Sequence, residues 1–109
     1  MTLTTVLEVK NRNGLHTRPA GMLCNIANRS KYGDIGIFMV HNGMRVDVKS
    51  ILNVLTLGAV FGAKVVLEIE GEDKDKPMME ASTKEISEFF DSGFDNIAPD
   101  LEADEAADY

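Results

Sequence analysis

Tryptophan is absent from the 109 residues, cysteine occurs once, and no apolar run approaches the ~20 residues a membrane span requires. Each absence removes a class. A lone Cys24 can form no internal disulfide and has no second thiol beside it for a metal or redox motif. It reads as a small core residue. Residues 1–5 lack the basic start and continuous apolar stretch of a secretory signal, so a cytoplasmic protein without membrane insertion is expected. No internal repeat is present. With 44% hydrophobic and 27% charged residues the composition is that of a globular protein, of a length that buries one core.

Cations are scarce relative to acids, and the formal net charge is −7. Most of that excess sits at one end. From Asp95 onward there are six acids (Asp95, Asp100, Glu102, Asp104, Glu105, Asp108) and no Lys or Arg, leaving twelve acids against eleven bases before it. The body is nearly neutral and shows no basic stripe with interleaved aromatics, which argues against nucleic-acid binding. The expected organisation is one domain over residues 1–94 and a flexible acidic tail over 95–109, whose apolar content is too low to pack by itself.

Within the body, Leu3, Thr5, Leu7 and Val9 alternate with Thr4, Val6, Glu8 and Lys10, predicting a strand over about residues 3–10. Turn formers follow at residues 11–14. A helix is predicted over about 17–29, with Pro19 in its tolerant first turn and an apolar stripe through Ala20, Leu23 and Ala27. Residues 35–40 and 45–49 flank Asn42-Gly43, a pair that accepts the positive φ of a tight hairpin turn. Ser50 and Gly58 bracket a short helix that is apolar nearly all round, so it is either deeply buried or partly covered by a partner. Val65, Leu67 and Ile69 mark a fourth strand. Met79, Ser82, Ile86, Phe89 and Phe90 share one face of a third helix ending near Ser92-Gly93. That order of elements predicts a two-layer α/β domain, an antiparallel sheet with its helices on one face.

The chemistry concentrates on the stretch Asn13-Gly14-Leu15-His16-Thr17-Arg18-Pro19-Ala20. His16 falls at the N-terminal edge of the first helix, where backbone N–H groups without intrahelical acceptors and the positive end of the macrodipole attract an anion. Its imidazole nitrogen is a nucleophile near neutral pH, and an N–P bond is labile enough to pass a phosphoryl group on. Arg18 offers a planar, permanently charged fork for phosphate oxygens. Gly14 is read as clearing the approach to the histidine. From the local residues alone, His16 as a helix cap or an ordinary surface side chain remains open, as does a small hydrolase, which the motif disfavours because it holds no second general acid or base.

The seven contiguous residues Gly14-Leu15-His16-Thr17-Arg18-Pro19-Ala20 resemble the active-site signature of HPr, the histidine-containing phosphocarrier family of the phosphoenolpyruvate-dependent sugar phosphotransferase system. A second resemblance lies in Asn42-Gly43, Val48-Lys49-Ser50-Ile51 and Thr56-Leu57-Gly58. The resemblance implies an open-faced sandwich of four antiparallel strands with three helices on one face. It further implies that His16 takes the phosphoryl group through Nδ1 from phosphorylated enzyme I and passes it to a IIA domain of a sugar permease. A monomer needing no metal or cofactor is implied as well.

Ser50 has two compatible readings, an N-cap and, by the same resemblance, a regulatory site for an ATP-dependent HPr kinase. Ile51, Leu52 and Leu55 match family positions that dock on partner proteins, against a plainer reading as core, which is kept for Val54 and Leu57. Thr17 and Gly21 join the docking set; at Gly21 many relatives carry alanine, a departure that implies a slightly weaker first helix. His41 reads as a surface histidine. Two alternatives stand beside the sugar carrier: a nitrogen-branch or regulatory paralogue, and an α/β interaction module in which His16 is incidental. The presence of His16 argues against a regulatory form lacking the phosphorylatable histidine.

Overall fold

The computed structural model describes residues 1–94, and the expected acidic tail lies outside the described residues. Alternating apolar residues set the sheet: β1 (Thr2–Glu8), β2 (Gly36–His41), β3 (Met44–Asp47) and β4 (Lys64–Glu70). They form one antiparallel sheet in the order β1-β4-β2-β3. The last strand therefore lies between the first two, pairing Leu3 with Ile69 on one side and Met39 with Leu67 on the other. The inward rows place Leu7, Val65, Leu67, Ile69, Ile37 and Met39 in the core.

Three helices cover that face: α1 (Thr17–Ala27), α2 (Ile51–Thr56) and α3 (Lys76–Asp91). All five residues expected on the inner face of α3 are buried, and Ala20, Leu23 and Ala27 are buried on α1. The open-faced sandwich is thus the observed architecture. Asn42 and Gly43 both have positive φ, 51° and 80°, as the tight turn between β2 and β3 requires.

The element ends differ from expectation for local reasons. β1 stops at Glu8 because Val9 turns to the loop before β4, donating to the Ala63 carbonyl at 2.8 Å and accepting from Gly62 at 2.8 Å. α1 stops at Ala27 because the Asn28 amide donates to the carbonyls of Cys24 (2.9 Å) and Lys49 (3.0 Å). Arg29 then leaves in extended conformation and buries its side chain, 4% exposed, on α3, where the guanidinium pairs with Glu85. Beyond α3, Phe94 takes φ of 70° and packs its ring on Phe89 and Phe90, centroids 5.1 and 4.9 Å away. The periodicity of α3 gave no sign of this closing contact.

Candidate functional site

The loop before α1 is held by its own backbone and by the loop after α2. Gly14 donates to the Asn11 carbonyl (3.0 Å), Asn13 N–H to the Asn11 side chain (2.8 Å), and Leu15 to the Ala59 carbonyl (2.9 Å). Gly14 sits at φ of 73°, and a Cβ there would lie 2.7 Å from the Ala59 carbonyl oxygen and 3.0 Å from Val60 Cα. Glycine is thus required by the contact between two loops and by the left-handed backbone. That reason corrects the expectation that it clears an approach to the histidine.

His16 follows as the N-cap of α1, with φ −85° and ψ −169°. Its carbonyl accepts from Ala20 N–H at 2.9 Å and starts the helix, while its side chain makes no capping bond and is exposed. The cap is therefore a backbone one. The imidazole stays available, next to first-turn amides of Thr17 and Arg18 that helix geometry leaves without intrahelical acceptors. Pro19 removes a third amide, and the remaining two lie at the positive end of the helix.

Two grooves meet at His16. One, about 250 Å³ and largely polar, is lined by Asn11, His16, Arg18, Pro19, Met22 and Phe94. The other, about 380 Å³ and mostly apolar, is lined by His16, Thr17, Arg18, Gly21 and Ile51. His16 and Arg18 border both. The structure thus gathers His16, Arg18, Thr17, Gly21 and Ile51, although the last stands 35 residues beyond His16 by the numbering. Gly21 is itself buried and contributes backbone to the groove floor. On α2, Leu52 is 73% exposed and Ile51 and Leu55 are partly exposed, while Val54 and Leu57 are buried, which divides the helix as expected. Val60 and Phe61, 65% and 62% exposed on the loop that touches Gly14, were not anticipated. Apolar residues after a helix read as interior, and only the backbone path turns them outward. Asn11, Met22 and Phe94 also escaped the sequence reading, since nothing in their spacing points to the histidine.

Ser50 caps α2, its hydroxyl accepting from Asn53 N–H at 3.4 Å, a long bond. The preceding Lys49 is anchored, its ammonium donating to the carbonyls of Tyr32 (2.8 Å) and Ile35 (2.6 Å). Its own carbonyl accepts from the Cys24 thiol at 3.3 Å, which joins α1 to the start of α2. Cys24 is consequently a half-buried junction residue and not a core one. Desolvation, with the nearby Asp47 charge, raises its pKa above the ordinary thiol value, outweighing the Asn28 hydrogen bond that lowers it. A raised pKa means less thiolate at any given pH. Alkylation of Cys24 by iodoacetamide at pH 8 should therefore run several-fold slower in the folded protein than in urea, with the two rates converging as pH rises above the folded pKa. His41 is half-buried at the hairpin, its Nδ1 3.3 Å from the Lys64 carbonyl, and it lines neither groove at His16.

Among the described residues, no group of three or more His, Cys, Asp or Glu is placed to hold a metal, and no helix is long and apolar enough to cross a membrane.

Residues 3–91 match the family model described as the PTS HPr component phosphorylation site, and the chain belongs to the HPr family of the phosphotransferase system. The HPr phosphocarrier of Treponema pallidum is 38% identical over 74 residues, covering 68% of this chain and 80% of that one. The solved HPr of Bacillus anthracis superposes with a TM-score of 0.69 at 26% identity, covering 82% of this chain and 96% of that one. Crh of Bacillus subtilis, whose structure is described as a domain-swapped dimer, gives a TM-score of 0.61 at 25% identity over 85% of this chain and 94% of that one. The protein is accordingly a phosphotransfer carrier of the phosphotransferase system.

Proposed function

We propose that His16 accepts the phosphoryl group through Nδ1 from phosphorylated enzyme I and delivers it to the IIA domain of a sugar permease, in the cytoplasm and as a monomer. The observation that carries this reading is the exposed, uncommitted imidazole at the N-cap of α1, bordered by Arg18. The Nδ1 lone pair forms the N–P bond as the donor's bond to phosphorus breaks, and the reverse sequence serves the acceptor. First-turn amides of α1 and the Arg18 guanidinium receive the phosphate oxygens. Thr17, Gly21, Ile51, Leu52 and Leu55 form the surface on which the partners dock. No metal or cofactor enters the step.

Incubation with enzyme I and phosphoenolpyruvate should give one acid-labile phosphate per chain, absent in His16→Ala. No label on the native chain, or a label retained in His16→Ala, would overturn the reading. Leu52 is exposed enough that Leu52→Gln should leave stability within about 0.5 kcal/mol of the native value. The same change should raise the KM for enzyme I about tenfold with kcat little altered, as loss of an apolar docking residue predicts.

Ser50 adds a regulatory layer in this proposal. Phosphate there, placed by an HPr kinase with ATP, would bring a charge of about −2 beside Ile51 and weaken docking without unfolding the domain. Kinase labelling of the native chain but not Ser50→Ala, and slower His16 labelling in Ser50→Asp, are the expected results. An unchanged rate in Ser50→Asp would count against interference.

A further inference from the structure

Phe94 puts a bulky side chain on a backbone that bulky residues avoid. Its φ of 70° follows Gly93, also at 70°, so two successive residues at the end of α3 are left-handed. Only the first of them is glycine. The Gly93 N–H donates to the Phe90 carbonyl at 3.1 Å and the Phe94 N–H to the Phe89 carbonyl at 3.0 Å, the paired bonds that close a helix on a left-handed glycine. That closure accounts for Gly93 and leaves the φ of Phe94 unexplained. Backbone strain of this kind persists where surrounding contacts hold it, and it gathers at functional sites. The holding contacts are the rings of Phe89 and Phe90, with centroids 5.1 and 4.9 Å away, and the side chain they fix is 4% exposed. Its place is the polar groove, which it lines with Asn11, His16, Arg18, Pro19 and Met22. The Lys10–Asp91 pair, at 3.1 Å, ties the same end of α3 to the loop before α1.

We propose that Phe94 is a positioning residue of the phosphoryl site, an apolar wall that keeps water from the phosphorus on His16 and lengthens the life of the phosphorylated carrier. The inference rests on the carrier reading for its purpose and adds a reason why a labile N–P bond survives between partners. Hydrolysis would need a water in line with that bond: its oxygen joins phosphorus as the N–P bond breaks, and one of its protons goes to the imidazole. Inorganic phosphate is the product. Pro19, Met22 and Phe94 give the groove an apolar side on which such a water finds no strong partner. Among the described lining residues there is no carboxylate to take its proton, and the Asn11 side-chain oxygen already accepts from Asn13 N–H at 2.8 Å. Excluding water from a reactive intermediate is a recognised way to suppress its side reactions.

The test phosphorylates the native chain, Phe94→Ala and Phe94→Leu with phosphoramidate, a small donor that requires no partner protein, and then removes the reagent. Decay of the His16 phosphoryl resonance at neutral pH is followed by phosphorus NMR. Phe94→Ala should lose the group about threefold faster than the native chain, whereas Phe94→Leu, which keeps an apolar wall, should decay close to the native rate. General loss of packing is separated by Met79→Ala, which empties a fully buried position of α3 outside the groove and should leave the decay unchanged. A native rate in Phe94→Ala would overturn the proposal. Equal acceleration in Met79→Ala would overturn it too, as would Phe94→Leu decaying as fast as Phe94→Ala. Where circular dichroism shows Phe94→Ala unfolded, Phe94→Val takes its place under the same criteria. Labelling by enzyme I and phosphoenolpyruvate is scored separately. If it labels no chain while the lifetimes keep the expected order, the carrier reading fails and the wall at Phe94 stands.

Discussion

Gly14→Ala should lower stability by about 2–3 kcal/mol and slow labelling of His16 by enzyme I by about tenfold. Two costs combine at this position. The backbone is left-handed, with φ of 73°, which disfavours any L side chain. The added methyl would also stand 2.7 Å from the Ala59 carbonyl oxygen and 3.0 Å from Val60 Cα, backbone atoms with no rotamer to yield. Relief requires separating the loop before α1 from the loop after α2, and that strains the Leu15–Ala59 hydrogen bond one residue before the histidine. Gly43→Ala is the matched control, because φ is 80° there but nothing lies within 4 Å of the new Cβ. That change should cost about 1 kcal/mol and leave the labelling rate unaltered. Chemical denaturation and initial labelling rates of the two variants decide the matter. Equal behaviour of the two would show that contact between the loops does not position His16.

Glu85→Ala should cost about 3–5 kcal/mol, and for a domain of this size the melting temperature should fall by about 15 °C or more. The Glu85 carboxylate pairs with the Arg29 guanidinium, 4% exposed, and accepts from the Tyr32 hydroxyl at 2.6 Å. Removing it withdraws the counter-charge from a guanidinium held out of water, which is far costlier than the loss of a surface pair. Replacing both charges, Arg29→Met with Glu85→Met, should recover most of the loss, because no buried charge then remains. Thermal melts of the single and double variants test this. A single variant as stable as the native chain would show that the pair carries little weight. The Tyr32 carbonyl also accepts from the Lys49 ammonium, so the same cluster links α3 to the residue before Ser50.

Legibility in the sequence followed how local each cause is. The Asn42-Gly43 turn, the Ser50 cap and the inner face of α3 depend on neighbours within a few residues, and composition and period revealed them. Placement of β4 between β1 and β2 pairs Leu3 with Ile69, a long-range choice that alternation cannot encode. Arg29 as a buried ion partner was invisible because arginine is ordinarily exposed and Glu85 stands far along the chain. Cys24 looked like core because free cysteine usually is, whereas its thiol sits at a helix junction and donates to Lys49. The residues around His16 divided in the same way. Thr17 and Arg18 follow it directly, while Ile51, Asn11 and Phe94 reach it only through the fold.

Phosphoryl transfer to His16 is tested most directly by proton–phosphorus correlation NMR on the full chain after incubation with enzyme I and phosphoenolpyruvate. The expected result is a single phosphoramidate whose phosphorus couples to the His16 ring with the pattern of Nδ1 substitution, and to no other residue. Phosphorus on Ser50 or on His41, or a protein carrying none after the donor is fully charged, would contradict it.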